Sequence, residues 1–384
     1  MAQRSIAVSA GESSGDLNGA YLAKAITGIA PDVSIWGAGG PRMREAGVEI
    51  VINMTNGGTI GVAETIKSLP GVAVKYLRLR NLLLKLKPDL FVPIDFGAFN
   101  IRLAQVAHAN AIPVVYYFPP SSWRKRPRNS AKLLACGGKV VTPFPWSAEL
   151  LSEAGVDARF LGHPLIDIVK PTAPRDLFLS ELGLDLSFIT IGLLPGSRSH
   201  EIREHLTPLI ESARMLHRLL GRVQFVIGAA RGAEDIRRRL ATSIKSDSPA
   251  IRVVEGRTYD CMAASDLLIT SSGTATLEAA ILGVPMIIIY RGSSIMRLEY
   301  IVRKSILEDF IGLPNIIAGR GVCPELINDD VAPEKLADIA SSLLTDNSAL
   351  SEMKRALKDI KSSLGEQGAV DRAARAALEM GELL

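Results

Sequence analysis

Short apolar runs alternate with longer amphipathic stretches along the whole chain, and that alternation constrains the fold more than any other feature. In the first half the runs are Ser5–Ala10, Val33–Trp36, Leu90–Ile94, Val114–Phe118 and Lys139–Pro143. In the second half they are Phe188–Leu194, Gln224–Gly228, Ile251–Val254, Leu267–Thr270 and Met286–Tyr290. A short run rich in Val, Ile and Leu and bounded by turn residues has the composition of a strand buried on both faces. The stretches between them carry a helical period. The order β-α-β-α, met twice, predicts an α/β chain with two parallel, doubly wound sheets covered by helices.

The two series are separated by "GHPLIDIVKPTAPRDLF", which holds three prolines and no clear period and reads as a linker. The expected division is therefore 1–165 and 166–365, with a charged helical tail, 366–384, returning to the first domain. Two such domains would face each other across a cleft. Ligands in doubly wound sheets bind beyond the carboxyl ends of the strands. Residues just after each strand therefore carry the functional weight.

Composition excludes several classes. The chain is 47% hydrophobic and 22% charged, so it is globular rather than disordered. A net charge of +4 demands no nucleic acid. Cys136, Cys261 and Cys323 lack metal-ligand spacing and imply a reducing compartment. The apolar run in "MAQRSIAVSAGE" is too short for a signal peptide, and no stretch reaches the ~20 apolar residues of a spanning helix. A cytoplasmic protein is expected. Two basic amphipathic stretches, 75–89 and 293–304, suit an anionic membrane surface, or equally a core-facing helix with solvated lysines.

Four segments carry candidate chemistry. In "LLPGSRSHEI" a strand ends in Gly196-Ser197-Arg198, where glycine permits close backbone approach and the arginine fork suits phosphate. In "TSSGTATLEAA" a strand passes through Ser272-Gly273-Thr274 into a helix whose free N–H groups and dipole favour an anion. Glu278, one turn in, could grip two ribose hydroxyls. Asn315 in "LPNIIAGRG" could read a donor and an acceptor on a base or sugar. In "LFVPIDFGAFN", Asp95 follows a buried strand, where partial desolvation would tune a general base. Each has a plain alternative as a turn, a cap or a solvated side chain. "GESSGDLNGA" is a strand-to-helix loop in which Gly11 and Gly15 allow close approach and Ser14 or Asp16 would cap a helix from Leu17. "WRKRPRN", with Trp123 and Arg124, is the densest basic cluster. Walker A, a first-strand G-x-G-x-x-G and D-x-D are all absent, and the five histidines form no zinc set, with His200 and His205 expected at the surface.

These segments together resemble one family, the lipid-A-disaccharide synthases, over essentially the whole chain. The likeness lies in "AGESSGDLNGA", "GAGGPRMREAGVE", "KPDLFVPIDFGAFN", "FLGHPLID", "LLPGSRSHEI", "SSGTATLEAAILGVPMIIIYR" and "LPNIIAGRGVCPEL", in that order. The resemblance implies two Rossmann-like domains of the GT-B type and an inverting glycosyltransferase. It implies transfer of a 2,3-diacylglucosamine from UDP to a 2,3-diacylglucosamine 1-phosphate, with no cofactor and no metal. Gly196, Ser197, Arg198, Ser272, Gly273, Thr274, Glu278 and Asn315 would then hold UDP, and Asp95 would be the base. Gly11, Glu12, Ser14, Gly15, Asp16, Trp123 and Arg124 would lie on the acceptor side. The implied setting is the inner face of the cytoplasmic membrane, with a homodimer left open. The sequence departs from the family pattern at Gly97 and Ala98, where the family carries proline and a second acid. It departs again in the basic loop around Trp123. Another anionic lipid acceptor, or a UDP-sugar 2-epimerase on the same architecture, are the alternatives.

Overall fold

The computed structural model describes residues 4–54, 62–120, 122, 130–229, 233–243, 249–292 and 310–384. The first sheet is built by β1 (Ser5–Ala10), β2 (Ser34–Gly39), β3 (Glu49–Asn53), β4 (Leu90–Ile94), β5 (Tyr116–Tyr117), β6 (Lys139–Thr142) and β7 (Asp157–Phe160). All pairings are parallel, in the order β3-β2-β1-β4-β5-β6-β7. Its helices are α1 (Ser13–Ile29), α2 (Pro41–Glu45), α3 (Val62–Leu86), α4 (Gly97–Ala109), α5 (Ser130–Leu134), α6 (Pro145–Glu153) and α7 (Leu165–Ile168).

The sheet is covered on both sides, which is why its central strands read as unbroken apolar runs. Ile6, Val8 and Ala10 enter one layer with Leu22 and Ile26 of α1, while Ala7 enters the other with Phe91 and Leu103. Each such Ile, Val, Leu or Phe side chain, fully withdrawn from water, contributes about 1.5–3 kcal/mol. The terminal helix Ala369–Met380 adds Ala374, Ala377 and Leu378 to the α1 layer.

The second sheet comprises β8 (Ile189–Leu194), β9 (Val223–Ala229), β10 (Ile251–Glu255), β11 (Leu267–Ser271), β12 (Met286–Tyr290) and β13 (Glu325–Ile327). It is parallel, in the order β10-β9-β8-β11-β12-β13. Its helices include α8 (Arg175–Glu181), α9 (Ser199–Leu220), α10 (Ala233–Ser243), α11 (Thr258–Ala263) and α12 (Thr274–Leu282).

Three strands escape a search for apolar runs. β3, β7 and β13 are edge strands whose short runs include Glu49, Asp157 and Glu325. Polar edges discourage further pairing and erase the pattern. The proline-rich stretch expected as a plain linker contains the short helix α7 and the start of α8.

Met1–Asp167 together with Leu364–Leu384 form one compact unit, and Ile168–Ser363 form the other. The outgoing and returning chain are tied within the first unit. The Asp167 carboxylate accepts the Gly368 and Val370 N–H groups at 2.7 and 2.9 Å, capping the terminal helix, and the His163 N–H donates to the Leu364 carbonyl at 2.8 Å. In the second unit the Asp260 carboxylate accepts from the Thr172 N–H and hydroxyl and from Arg257, fixing the incoming chain on α11.

Candidate active site

In the first sheet the order reverses between β1 and β4, so the carboxyl ends of those two strands border the crevice in which such sheets take ligands. Glu12 lies just beyond β1 and Asp95 just beyond β4. The chain after β4 makes an abrupt turn. Asp95, Phe96 and Gly97 all have positive φ, at 44°, 57° and 43°. Left-handed backbone at the two residues with side chains costs on the order of 1–3 kcal/mol each and persists only where neighbours enforce it.

Asn100, fully buried in α4, enforces it. Its amide donates to the carbonyls of Ser9, Ile94 and Asp95 at 2.9–3.1 Å and accepts the Ser9 hydroxyl at 2.7 Å. It therefore clips the ends of β1 and β4 together. The Tyr116 hydroxyl donates to the same Asp95 carbonyl at 2.8 Å. Gly11 is forced by the same turn, because a Cβ there would fall 2.0 Å from the Phe96 ring.

The Asp95 carboxyl is pushed up to about 6, first by burial against the surrounding protein and then by the negative charge of Glu12. A backbone hydrogen bond with Phe96 opposes both. The residue nevertheless keeps an open face to solvent. Water on that face screens part of the push.

The loop after β1 is arranged otherwise than the sequence suggests. α1 begins at Ser13, with Glu12 at its N-cap position, and not near Leu17. Asp16 does not cap α1. It is buried and accepts the N–H groups of Gly40, Arg42 and Met43 at 2.8–3.1 Å, capping α2. Its carboxylate is therefore a brace within the fold, and this corrects its assignment as a substrate-facing group. Gly15 is buried against Ala10, and Ser14 is half-buried on the first turn of α1. Trp123 and Arg124 lie outside the described residues, as does the basic stretch 293–304.

In the second sheet the reversal falls between β8 and β11. Beyond β8, the buried Glu201 carboxylate accepts the Ser197 and Arg198 N–H groups at 3.0 and 3.2 Å and pairs with the Arg198 guanidinium at 2.9 Å. Gly196 has φ 114°, and a Cβ there would meet that carboxylate at 2.3 Å. Beyond β11, Ser272 and Gly273 lead into α12, which opens at Thr274. Glu278, half-buried in the second turn, accepts the Tyr259 hydroxyl at 3.1 Å.

Two expectations about side chains are corrected here. The Asn315 amide is saturated: it donates to the Cys323 carbonyl and Glu325 carboxylate and accepts the Val322 and Cys323 N–H groups, all at 2.8 Å. It organises its own turn and has no capacity left to read a base or sugar. The Ser272 hydroxyl donates to the Ile311 carbonyl at 2.7 Å, and Glu325 accepts the Ile311 and Gly312 N–H groups at 2.9 Å. The segment 311–315 is thereby tied to the entrance of α12. His205 is also not at the surface. It is fully buried, with Nδ1 on the Pro195 carbonyl at 2.7 Å and Nε2 accepting the Arg291 N–H at 2.9 Å. Asn100, Glu201 and His205 shape the two sites, yet nothing in their local pattern marks them.

Residues 6–380 match the family model described as lipid-A-disaccharide synthetase. The chain belongs to the lipid-A-disaccharide synthase family. Curated members similar to it include those of Syntrophus aciditrophicus, 36% identical with 99% of this chain and 98% of the relative covered, and Geobacter sulfurreducens, 36% identical with 98% and 97% covered. Among solved structures, a putative UDP-N-acetylglucosamine 2-epimerase from Listeria monocytogenes shares the fold, with a TM-score of 0.65 at 16% identity and 99% and 97% of the two chains covered. That likeness concerns the GT-B fold alone. Among the described residues, no group of three or more His, Cys, Asp or Glu side chains is placed to hold a metal, and no helix is long and apolar enough to cross a membrane.

Proposed function

We propose that this lipid-A-disaccharide synthase family member transfers an acylated glucosamine from UDP to an acylated glucosamine 1-phosphate, forming a disaccharide and releasing UDP. One observation carries the reading: in a chain matched by the family over residues 6–380, a carboxylate tuned toward about 6 stands at the switch point of the first domain. A base with that affinity is ionised at neutral pH and still able to take a proton from a sugar hydroxyl.

Asp95 takes the proton of the attacking hydroxyl. The hydroxyl oxygen forms the new bond to the anomeric carbon of the donor from the face opposite UDP. The bond from that carbon to the diphosphate breaks, and its electron pair leaves with UDP. The leaving charge is met by Arg198, by the Gly196–Arg198 backbone loop and by the N–H groups at Gly273 and Thr274 that open α12. Glu278, oriented by Tyr259, accepts the ribose hydroxyls. Asn315, Ser272 and Glu325 act through the backbone they hold. Gly11, Glu12 and Ser14 serve the acceptor side, a role the sequence also assigns to Trp123 and Arg124.

Acyl chains imply a lipid source. On α3, Val74, Leu77 and Leu86 are exposed at 65%, 53% and 51% beside Lys75, Arg78 and Lys85, while Leu79 and Leu83 face the core. That outer face suits an anionic bilayer surface, where each basic residue adds about 1 kcal/mol. Flotation with phosphatidylglycerol vesicles tests it: binding that survives in a Leu77→Asp variant at low salt would remove α3 from the contact.

Purified protein given UDP-diacylglucosamine and diacylglucosamine 1-phosphate should release UDP and disaccharide together. UDP-N-acetylglucosamine given alone should not be epimerised. Absence of disaccharide with both substrates present sinks the proposal.

A further inference from the structure

Arg198 cannot by itself balance a nucleoside diphosphate. Its guanidinium lies 2.9 Å from Glu201, which is only 4% exposed, so the pair is close to neutral. The opening of α12 contributes roughly half a positive charge, against the two or more negative charges of a diphosphate. The site as read from the sequence is short of cation.

Arg291 stands at the same edge of the sheet. It follows β12, the neighbour of β11, and the Ser272 N–H that precedes α12 donates to the Ile289 carbonyl of β12 at 2.8 Å. The Arg291 N–H donates to His205 Nε2, and His205 Nδ1 meets the Pro195 carbonyl. An amide only donates and a carbonyl only accepts, so the ring is neutral with its proton on Nδ1. Burial, which holds the ring's pKa below the usual histidine range, favours the same form. One rigid, fully buried imidazole thus links the loop carrying Arg198 to the backbone of Arg291. Among the described residues, the Arg291 Nε–H is buried and has no hydrogen-bond partner, although the side chain is half-buried overall. A guanidinium N–H left in that state is costly, and an oxyanion would satisfy it.

We propose that Arg291 is a second phosphate-binding cation of the donor site, and that His205 is the positioning residue that holds it beside the Gly196–Arg198 loop. The proposal rests on reading the second domain as the UDP site. Its test is calorimetric titration of UDP, with uridine followed by NMR, into wild type, Arg291→Gln, Arg291→Lys, His205→Phe and the Arg291→Gln/His205→Phe double variant. Arg291→Gln should weaken UDP roughly ten- to hundredfold and leave uridine unchanged, as one lost charge-assisted fork requires. Arg291→Lys should fall between. His205→Phe should weaken UDP on its own yet add little in the double variant, because its effect runs through Arg291. Unchanged UDP affinity in Arg291→Gln, or equal losses for UDP and uridine, would overturn the assignment of Arg291. A full additional loss in the double variant would overturn the role of His205. If His205→Phe fails to fold, as melting would show, the two Arg291 variants still decide the cation. Wild type that binds no UDP would instead sink the donor-site reading.

Discussion

Replacing Glu12 by Gln isolates the electrostatics of the first-domain crevice. Glu12 follows β1 and Asp95 follows the adjacent parallel strand β4, and a separation of about 7 Å is taken for their carboxylates. At that separation, with water on one side and an effective dielectric of about 40–80, their repulsion is roughly 0.6–1.2 kcal/mol, or about 0.4–0.9 of a pKa unit. Burial is the larger cause of the upward push on Asp95, so it remains when Glu12 is neutral. The sign follows directly. Removing a neighbouring negative charge lets Asp95 ionise more easily, so its pKa falls toward, without reaching, the ordinary aspartate value of 3.8. A base must be ionised to work, so the acid limb of kcat/KM moves to lower pH by the same amount. The assay is UDP release under subsaturating substrate across pH 4.5–8, with the acid midpoint fitted for wild type and Glu12→Gln (range set by the ordinary carboxylate span). A uniform fall in rate with an unmoved midpoint would mean that Glu12 contacts substrate without setting the Asp95 charge. A midpoint that moves upward would refute the electrostatic argument outright.

Asp95→Asn should cost on the order of 10²–10⁴-fold in transfer while UDP binding by calorimetry is kept. Because folding raises the Asp95 pKa, the wild type loses stability as pH climbs from 3.8 to about 6, so the thermal stability of the Asn variant should gain on wild type across that window. Asp16→Asn removes the charged acceptor of three α2 N–H groups and should cost about 1–3 kcal/mol in urea unfolding followed by tryptophan fluorescence. Burial lowers His163 from 6.5 to about 3. The first domain should therefore lose roughly 1.4 kcal/mol for each pH unit between those values as pH falls. His163→Asn keeps an acceptor for the Leu165 N–H, which bonds to Nδ1 at 3.1 Å, and should flatten that slope.

The reach of the sequence ends where function is delegated to backbone. The central strands were legible because burial on both faces leaves no polar residue to interrupt them, as in Leu90–Ile94. The residues after each strand were legible because doubly wound sheets present their carboxyl ends to ligands, which singles out Asp95, Arg198 and Thr274 without coordinates. Asp16 and Asn315 were misread for one shared reason. A short polar side chain beside a glycine is compatible with a ligand or with orphan N–H groups, and only distant chain decides between them: Gly40 to Met43 for Asp16, Val322 to Glu325 for Asn315. His205 was misread because its partners, Pro195 and Arg291, are ten residues before it and eighty-six after it. Such a residue shows no local signal, since a surface histidine and a buried bridge have the same neighbours in sequence. The left-handed run at Asp95 and Phe96 makes the point most sharply. The sequence offers glycine only at position 97, yet the turn begins two residues earlier, because Asn100 and Tyr116 both hold the Asp95 carbonyl. The orientation of the proposed base is thus set by an amide in the next helix and a phenol on the neighbouring strand. Asn100→Ala should consequently disable Asp95 without touching its carboxyl.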